Sequence, residues 1–418
     1  MAPAAPIAVD ISRLLTGLRF ARPTGVERME LGYARRLGMA GGGVILTPAG
    51  PRLASAAARR AIAEAAVRHW GEESTAEDAA REAGAVLDFV ETGQRPPAPR
   101  RSRLPLGGIA GLAPGLARAA WRTPERALPQ RARYLHASFF RLERAERFDW
   151  LARRRDVAAV FAIYDLLPLA FPAFFRPGED ELHRRRLLTA ARIGRALLTP
   201  CEPVAEELRE FLKLQGVEAP PIHAVALPTE AAFRPSGAPR RAGRPYFIVC
   251  GTIEPRKNHA LLLEVWRRLA AAMGEDAPRL VIAGRRGWLC GEIGAALDAP
   301  GPLRRLVLEA PQLTTAALAL LMQGAEALLS PSFAEGYGLP VAEALACGTP
   351  AIVADNPVYR ALWSGRAQLL PPDDAEAWAA AVAGACRNGT PARLNGAEAH
   401  AMRWPEHIER IEGLLAAV

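Results

Sequence analysis

The sequence has almost no lysine, few aromatic side chains and no long hydrophobic run. Of its 53 basic residues only Lys213 and Lys257 are lysine, and aromatic residues make up 6% of the 418 positions. The longest uncharged apolar stretch, residues 104–117, is interrupted by glycine and proline, so we expect no membrane-spanning helix. Half of the residues are apolar and 23% are charged, a balance that excludes a disordered chain.

Several patterns that would indicate other classes of protein are also missing. The five cysteines form no closely spaced pair, and the start of the chain lacks the pattern of a secretion signal. There is no metal-binding carboxylate pair at a strand end, no P-loop and no serine-hydrolase elbow, and the histidines are scattered. We therefore expect a cytoplasmic protein without metal or cofactor, and contact with the inner face of the plasma membrane stays open.

Positive charge is concentrated in the first half of the chain. Residues 1–240 carry 36 basic against 26 acidic side chains, and 15 arginines fall within residues 95–155. Three interpretations are open for this basic block: a solvated surface, an anionic membrane surface or a nucleic-acid surface. Nucleic acid has the least support as a partner, because aromatic residues are few and no nucleic-acid-binding motif is present.

Short apolar runs alternate with segments of helical periodicity along the whole chain. This alternation predicts parallel sheets with helices on both faces, so the fold class is α/β, and its two series indicate two doubly wound domains. The predicted strands cover residues 7–11, 43–46, 85–90, 157–163, 196–199 and 222–227 in the first series and 246–250, 280–283, 306–308, 325–329 and 351–354 in the second.

A stretch rich in Pro, Gly and Arg, residues 235–245, is the predicted domain boundary, because it favours neither a helix nor a central strand. The predicted domains are therefore residues 1–240 and residues 241–418. Residues 93–129 have a similar composition and are interpreted as an excursion within the first domain. Apolar spacing predicts a last amphipathic helix over residues 405–417, for which packing on the first domain is one option.

A charged turn follows the first predicted strand of the second domain. Gly251 lets a ligand approach the backbone, and Arg256 and Lys257 lie just before a predicted helix. Two cations at a helix start oppose the helix dipole unless an anion binds there, so this pattern suits a diphosphate. The alternative, two surface side chains, is weakened by the rarity of lysine in this chain. Gly284 and Arg285 follow the next strand and either add charge to the same site or are solvated.

A second loop and helix carry two glutamates, Glu335 and Glu343, eight residues apart. The backbone N–H groups of residues 338–341, at the predicted helix start, suit an anion. Two carboxylates beside a phosphate would repel it, so they are more consistent with accepting hydrogen bonds from hydroxyl groups. For Glu343, placed in the first helical turn, an interaction with the helix dipole is the alternative. The loop residues taken as candidates for ligand binding are Gly336, Tyr337, Gly338 and Leu339.

The first domain has two weaker candidates, both at strand ends. Gly25 opens a helix after the first strand, and Tyr164 and Asp165 end a later strand. In open α/β sheets ligands bind at the carboxyl ends of the strands, so these three residues are candidates for contact with a ligand.

Four segments of this chain resemble the glycosyltransferase family 4 group of retaining GT-B enzymes, especially bacterial enzymes that build O-antigen, capsule or exopolysaccharide. They are GTIEPRKNH (residues 251–259), AGRRGWL (283–289), PSFAEGYGLPVAEALACGTPAI (331–352) and PPDD (371–374). The resemblance implies a GT-B fold, in which two Rossmann-like domains face each other across a cleft. At Tyr164 this chain departs from many members of that family, which have histidine there.

The same resemblance implies roles for the candidate residues. Arg256 and Lys257 would bind the donor diphosphate, Glu335 would contact the transferred sugar as the third catalytic candidate, and Glu343 would hold the ribose. The other candidates of the second domain would also bind the donor, and Gly25, Tyr164 and Asp165 would lie on the acceptor side. The implied activity is metal-independent, retaining transfer of a hexose, with mannose as a guess. GDP-mannose or a UDP-sugar would be the donor, and a saccharide or lipid-linked oligosaccharide the acceptor. An epimerase-like GT-B protein and a catalytically degenerate binding protein stay open as alternatives.

Overall fold

The computed structural model describes residues 5–20, 22–38, 41–97, 122–235, 243–388 and 401–418. These residues form two compact units, each built on its own sheet. The first unit contains the described residues of Met1–Glu73 and Arg101–Leu227 together with Trp404–Val418. The second contains the described residues of Ser74–Arg100 and Pro228–Arg403. Most of the predicted boundary at residues 235–245 lies outside the described residues.

The elements of the first unit, numbered in chain order along the whole protein, form one mainly parallel sheet with helices. Its strands are β1 (Ile7–Asp10), β2 (Gly43–Thr47), β3 (Gly50–Ala54), β4 (Arg133–His136), β5 (Ala158–Ala162), β6 (Ala196–Thr199) and β7 (Ile222–Ala224). Its α-helices are α1 (Ser12–Gly17), α2 (Gly25–Arg36), α3 (Ala56–Trp70), α5 (Pro124–Ala127), α6 (Asp149–Arg153), α7 (Leu167–Ala170), α8 (Glu179–Ile193), α9 (Glu202–Leu214) and α17 (Trp404–Ala417).

The strand order of the first sheet is β3-β2-β1-β4-β5-β6-β7. Neighbouring strands are parallel except for β2 and β3, which form an antiparallel pair. The chain builds outward in opposite directions from β1 and β4, so the switch point of this sheet lies between those two strands. Ligands bind at such a point in doubly wound folds.

The second unit is built on a sheet whose neighbouring strands are all parallel, in the order β10-β9-β8-β11-β12-β13. The strands are β8 (Tyr246–Cys250), β9 (Arg279–Ala283), β10 (Val307–Glu309), β11 (Leu328–Ser330), β12 (Ala351–Ala354) and β13 (Gln368–Leu370). The α-helices are α4 (Ala76–Thr92), α10 (His259–Met273), α11 (Gly291–Asp298), α12 (Leu303–Leu306), α13 (Thr315–Gly324), α14 (Leu339–Ala346), α15 (Pro357–Trp363) and α16 (Ala375–Asn388). Here the switch point lies between β8 and β11.

The sequence-based assignment of residues 74–100 to the first domain is wrong for the part that the structure describes. This segment holds α4, which packs on α13 of the second unit. The Glu82 carboxylate accepts hydrogen bonds from the backbone N–H and the hydroxyl of Thr314, both at 2.9 Å, and so caps the start of α13. Farther along, Arg95 donates to the backbone oxygen of Val307 at 2.8 Å. The apolar face of α4 is therefore buried against the second unit.

The predicted strand at residues 85–90 is also wrong, because these residues lie inside α4. The residues of α4 that are buried are Ala79, Ala83, Val86, Phe89 and Val90. Their spacing is that of one helix face, and a short apolar run alone does not distinguish a strand from a buried helix. Three strands, β3, β4 and β13, have no counterpart among the predicted ones, whereas the other predicted strands are confirmed within a few residues.

The last helix, α17, belongs to the first unit and packs on α2. The Tyr33 hydroxyl lies 2.7 Å from His407 Nε2, and His407 Nδ1 lies 2.9 Å from the backbone oxygen of Ala226. Because a carbonyl oxygen only accepts, Nδ1 carries the proton and Nε2 accepts from Tyr33. A Cβ atom at Gly32 would lie 1.9 Å from the Trp404 ring, so this close packing requires glycine.

We expect the buried histidines His407 and His259 to reduce the stability of the protein as the pH is lowered from about 7 to 5. Burial lowers the pKa of His407 to about 4, and burial with the nearby Lys257 charge does the same for His259. An unfolded histidine has a pKa of about 6.5, so between these values the unfolded chain binds more protons than the folded one. In scanning calorimetry from pH 7 to 5, the unfolding midpoint of the wild type should therefore decrease relative to that of His407→Gln. A difference between the two midpoints that does not change with pH would contradict this expectation.

The described arginines of the basic block mostly bind the chain itself. Arg133 donates to the backbone oxygen of Leu415 at 2.7 Å, and Arg147 donates to that of Pro48 at 2.7 Å. Arg154 pairs with Asp156 and also donates to three backbone carbonyl oxygens. These contacts need neither a membrane nor a nucleic acid. Residues 98–121, which belong to the N-terminal part of the block, lie outside the described residues.

Candidate functional site

The two loops predicted to carry the site flank the switch point of the second sheet. One follows β8 and contains a 3₁₀ turn, Pro255–Lys257, and the other follows β11. The backbone N–H of Phe333 donates to the oxygen of Arg256 at 3.0 Å. Asn258, held at a left-handed φ of 54°, donates from its side-chain amide to the oxygen of Pro331 at 3.2 Å. These bonds fix the two loops to each other.

Arg256, Lys257 and Glu335 come together between these loops. Lys257 Nζ lies 2.5 Å from Glu335 Oε1, and Arg256 Nη1 lies 3.1 Å from Glu335 Oε2. Arg256 also pairs with Glu254 at 2.8 Å and donates to the backbone oxygen of Ala334 at 2.7 Å. The three predicted catalytic residues are therefore neighbours, and each oxygen of one carboxylate faces one cation.

The Glu335 carboxylate is held in its charged form. Its side chain is 8% exposed. Burial acts to raise its pKa, but the charges of Lys257 and Arg256, with hydrogen bonds from Lys257 and Ser332, bring it down to about 2. A buried carboxylate that stays ionised needs such partners. At neutral pH the Glu335 carboxylate is therefore an anion in direct contact with two cations, one of which also pairs with Glu254.

Two glycines allow the backbone of neighbouring loops to come close. Gly251 has a φ of 135°, which disfavours any side chain, and a Cβ atom there would lie 3.3 Å from Lys257 Cε. A Cβ atom at Gly284 would lie 1.7 Å from the backbone oxygen of Gly251. Gly284 is thus required by contact between the loops after β8 and β9.

The two arginines after β9 differ in their surroundings. Arg286 donates two hydrogen bonds to the carboxylate of Asp298 and two to that of Glu309, all at 2.7–2.8 Å. These hydrogen bonds raise the pKa of Arg286. It therefore stabilises its own loop. The Arg285 side chain is exposed, and its backbone oxygen accepts from the N–H of Ile253 at 2.8 Å. Donor binding by Arg285 stays a prediction.

The predicted set of backbone N–H groups before α14 is smaller than expected. Pro340 has no N–H group, and the N–H of Val341 donates to the oxygen of Gly338 at 2.8 Å. This leaves Gly338 and Leu339 of residues 338–341. Gly338 has a φ of 86° and caps the helix, and a Cβ atom there would lie 2.4 Å from the Tyr359 ring.

Tyr337 and Glu343 are both buried in the second unit. The Tyr337 ring packs edge-on against Trp363 at a centroid distance of 5.8 Å. The helix begins at Leu339, so Glu343 is its fifth residue and the placement in the first turn is wrong. An interaction with the helix dipole, which is confined to the first turn, therefore does not explain Glu343.

Sequence reasoning missed the residues that hold the loop after β11 from the side of α15. Asn356 donates to the backbone oxygen of Ser332 at 3.1 Å, and Trp363 Nε1 donates to that of Tyr337 at 3.3 Å. The Tyr359 hydroxyl lies 2.7 Å from Ser330 Oγ. Asn356, Tyr359 and Trp363 share one face of α15 by their spacing. That spacing and the Asn-Pro start of the helix were the available signals.

The first-unit candidates mainly have local contacts. Gly25 is the first residue of α2, where its neighbour Thr24 forms a capping box with Glu27. The Tyr164 hydroxyl donates to the backbone oxygen of Ala137 at 2.9 Å, and burial raises its pKa well above the usual value. An Asp165 oxygen accepts from the N–H of Leu167 at 3.2 Å. Their acceptor role stays a prediction.

A buried polar cluster at the switch point of the first sheet was also missed. The Tyr134 hydroxyl donates to Asp10 Oδ2 at 2.9 Å and lies 3.0 Å from His136 Nδ1. On α2, Glu30 accepts from the N–H of Leu14 at 3.0 Å, and burial, together with the Asp10 charge, raises its pKa well above normal. The only sequence signal was an aspartate at the end of the apolar run that became β1.

The sequence relatives described here match half of the chain or less. Residues 235–400 match the family model described as Glycosyl transferases group 1. The serotype-specific mannosyltransferase WbdA of Escherichia coli is 29% identical over 229 residues, which are 50% of this chain and 27% of that protein. The O-antigen chain mannosyltransferase B of E. coli is 31% identical over 110 residues, 26% of this chain and 28% of that protein. The chain thus spans about a quarter of the length of these curated relatives.

A solved structure matches the whole chain. The crystal structure of Anabaena Alr3699/HepE in complex with UDP and glucose has a TM-score of 0.62 at 13% identity and covers 100% of both chains. The chain has the two-domain GT-B fold. The predicted fold class, with two Rossmann-like domains in a GT-B protein, is confirmed. Among the described residues of this GT-B chain, no helix has the length and apolar character to cross a bilayer.

Proposed function

We propose that this GT-B protein is a glycosyltransferase that moves a hexose from a nucleotide-diphosphate sugar to a saccharide acceptor in the synthesis of a bacterial surface polysaccharide. The observation that carries the proposal is the convergence of Arg256, Lys257 and Glu335 at the switch point of the second sheet. The match of residues 235–400 to the Glycosyl transferases group 1 model supports it, as does the likeness to a serotype-specific mannosyltransferase and an O-antigen chain mannosyltransferase of E. coli.

In the proposed reaction the chain acts by stabilising the leaving diphosphate. Arg256 and Lys257 supply two positive charges, and the N–H groups of Gly338 and Leu339 lie at the start of α14, where an anion is favoured. Glu335 accepts hydrogen bonds from hydroxyls of the sugar, and Glu343 does so from the ribose. We propose retention of anomeric configuration without metal, the departing phosphate oxygen taking the proton of the acceptor hydroxyl.

For the donor we propose GDP-mannose, because both E. coli relatives are named mannosyltransferases. A UDP-sugar is the second candidate, because the Anabaena protein was crystallised with UDP and glucose. For the acceptor we propose a saccharide or a lipid-linked oligosaccharide bound by the first unit, at the cytoplasmic face of the membrane in the lipid-linked case.

A donor screen tests this proposal. GDP-, UDP- and ADP-sugars are compared by thermal shift, and the stabilising donor is then assayed with a saccharide acceptor, free or attached to lipid diphosphate in anionic vesicles. We expect stabilisation by GDP-mannose and transfer with retention. Interconversion of the donor without an acceptor would instead indicate an epimerase, and donor binding without turnover a degenerate binding protein. Absence of any nucleotide binding would overturn the proposal.

A further inference from the structure

We propose that Glu335 competes with the diphosphate of the donor for Arg256 and Lys257, and that it thereby weakens the binding of the nucleoside diphosphate product more than that of the intact nucleotide sugar. This inference rests on the proposed function and concerns the same site. It assigns Glu335 a part in product release that is separate from its contact with the sugar.

The ion pairs of Glu335 occupy the two cations that the diphosphate would use. Glu335 uses both carboxylate oxygens on the two cations, Oε1 at 2.5 Å from Lys257 Nζ and Oε2 at 3.1 Å from Arg256 Nη1. A diphosphate bound by the same ammonium and guanidinium groups would lie against this carboxylate, and like charges at such distances repel. The anion must therefore displace the carboxylate from at least one cation.

Glu335 is buried, so the loss of its cations is unfavourable. The residue is 9% exposed, so a carboxylate that loses its cations there cannot regain full hydration. A buried charge whose partner is removed is strongly unfavourable unless other donors replace the partner. Hydroxyl groups of a sugar can be such donors, because a carboxylate only accepts hydrogen bonds. A nucleoside diphosphate has no sugar beyond its terminal phosphate and offers no such hydroxyl.

The surroundings of Glu335 keep it from leaving the site. The backbone oxygen of Ser332, on the same loop, accepts from the side-chain amide of Asn356 at 3.1 Å. Phe333 is tied to the backbone of the β8 loop at 3.0 Å. Since the loop is held on both sides, the displaced carboxylate stays beside the bound ligand, and the difference between donor and product persists.

The test compares the affinities of two ligands for two variants. Titration calorimetry measures GDP and GDP-mannose, or the matching pair for the donor found in the screen, on wild type, Glu335→Gln and Glu264→Gln. In Glu335→Gln the nucleoside diphosphate should bind about 10-fold tighter than to wild type, because a competing charge is gone. The nucleotide sugar should gain less or lose affinity. Glu264, which is paired with Arg267 and Arg268 at the surface, is the control that removes the same charge, and it should leave the ratio unchanged.

Unchanged or weaker binding of the nucleoside diphosphate to Glu335→Gln would overturn this inference while leaving the proposed function intact. Failure of the wild type to bind any nucleotide would overturn both. A crystal structure of the wild type with the nucleoside diphosphate gives a second reading that needs no variant. We expect Lys257 Nζ on a phosphate oxygen and more than about 4 Å from Glu335. Both ion pairs intact beside the bound diphosphate would refute the competition.

Discussion

Replacing Lys257 by alanine is expected to lower the turnover of the nucleotide sugar by roughly 10² to 10³, the effect of losing one fixed charge-stabilising donor. The ammonium group of Lys257 lies at the switch point of the second sheet and contacts Glu335. The substitution removes a positive charge that would face the leaving diphosphate, and it also leaves a buried carboxylate with one cation fewer. We expect the loss mainly in kcat, because charge on the diphosphate develops in the transition state.

The chain offers a matched control for this measurement. Lys213, the other lysine of the sequence, is exposed near the end of α9 in the first unit. Initial rates at saturating acceptor should therefore be unchanged in Lys213→Ala. Near wild-type rates in Lys257→Ala would contradict the assignment of the diphosphate to this part of the site. Arg256→Ala tests the same assignment independently.

Replacing Gly284 by alanine is expected to damage the site without touching any charged side chain. The added Cβ atom would lie 1.7 Å from the backbone oxygen of Gly251, and neither backbone can rotate away as a side chain would. The loops after β8 and β9 must separate, and overpacking of this kind costs about 1–3 kcal/mol or more. Because Lys257 passes over Gly251, we expect nucleotide affinity to fall at least about 10-fold, in line with a misplacement of a charged group by about 1 Å.

Calorimetry and thermal unfolding together measure this effect. The control is Gly291→Ala at the start of α11, where a Cβ atom meets nothing within 4 Å. That variant should keep both the nucleotide affinity and the unfolding midpoint of the wild type. If Gly284→Ala bound nucleotide as tightly as Gly291→Ala, the close approach of the two loops would have no part in the site.

The fold could be predicted where an apolar run coincides with a buried parallel strand. β8, β9 and β12 are of this kind, because both faces of a central parallel strand are covered. β4 was missed because its sequence, RYLH, has only two apolar residues in a row, between an arginine and a histidine. α4 was assigned to the wrong element and the wrong domain, because its partner α13 lies more than 200 residues away along the chain.

The residues of the site could be predicted from the sequence, but the ion pairs between them could not. The glycines, cations and glutamates of the two loops stand out in the sequence, and the structure places Arg256, Lys257 and Glu335 together. That Glu335 holds both cations follows only from the lateral position of β8 next to β11, which a single sequence does not specify. The support from Tyr359 depends in the same way on the path of the chain after β12.

The path of the chain limits how this protein can be divided. It runs from the first unit into the second at α4, returns for β4 to β7, enters the second again for β8 to β13, and ends in the first with α17. A fragment cut at residue 240 would keep α4 without α13 and lose α17, leaving two apolar faces open to water. Each fragment would therefore lack a helix that packs on it in the intact protein. To express the two units separately, α4 would have to be joined to the second unit and α17 to the first.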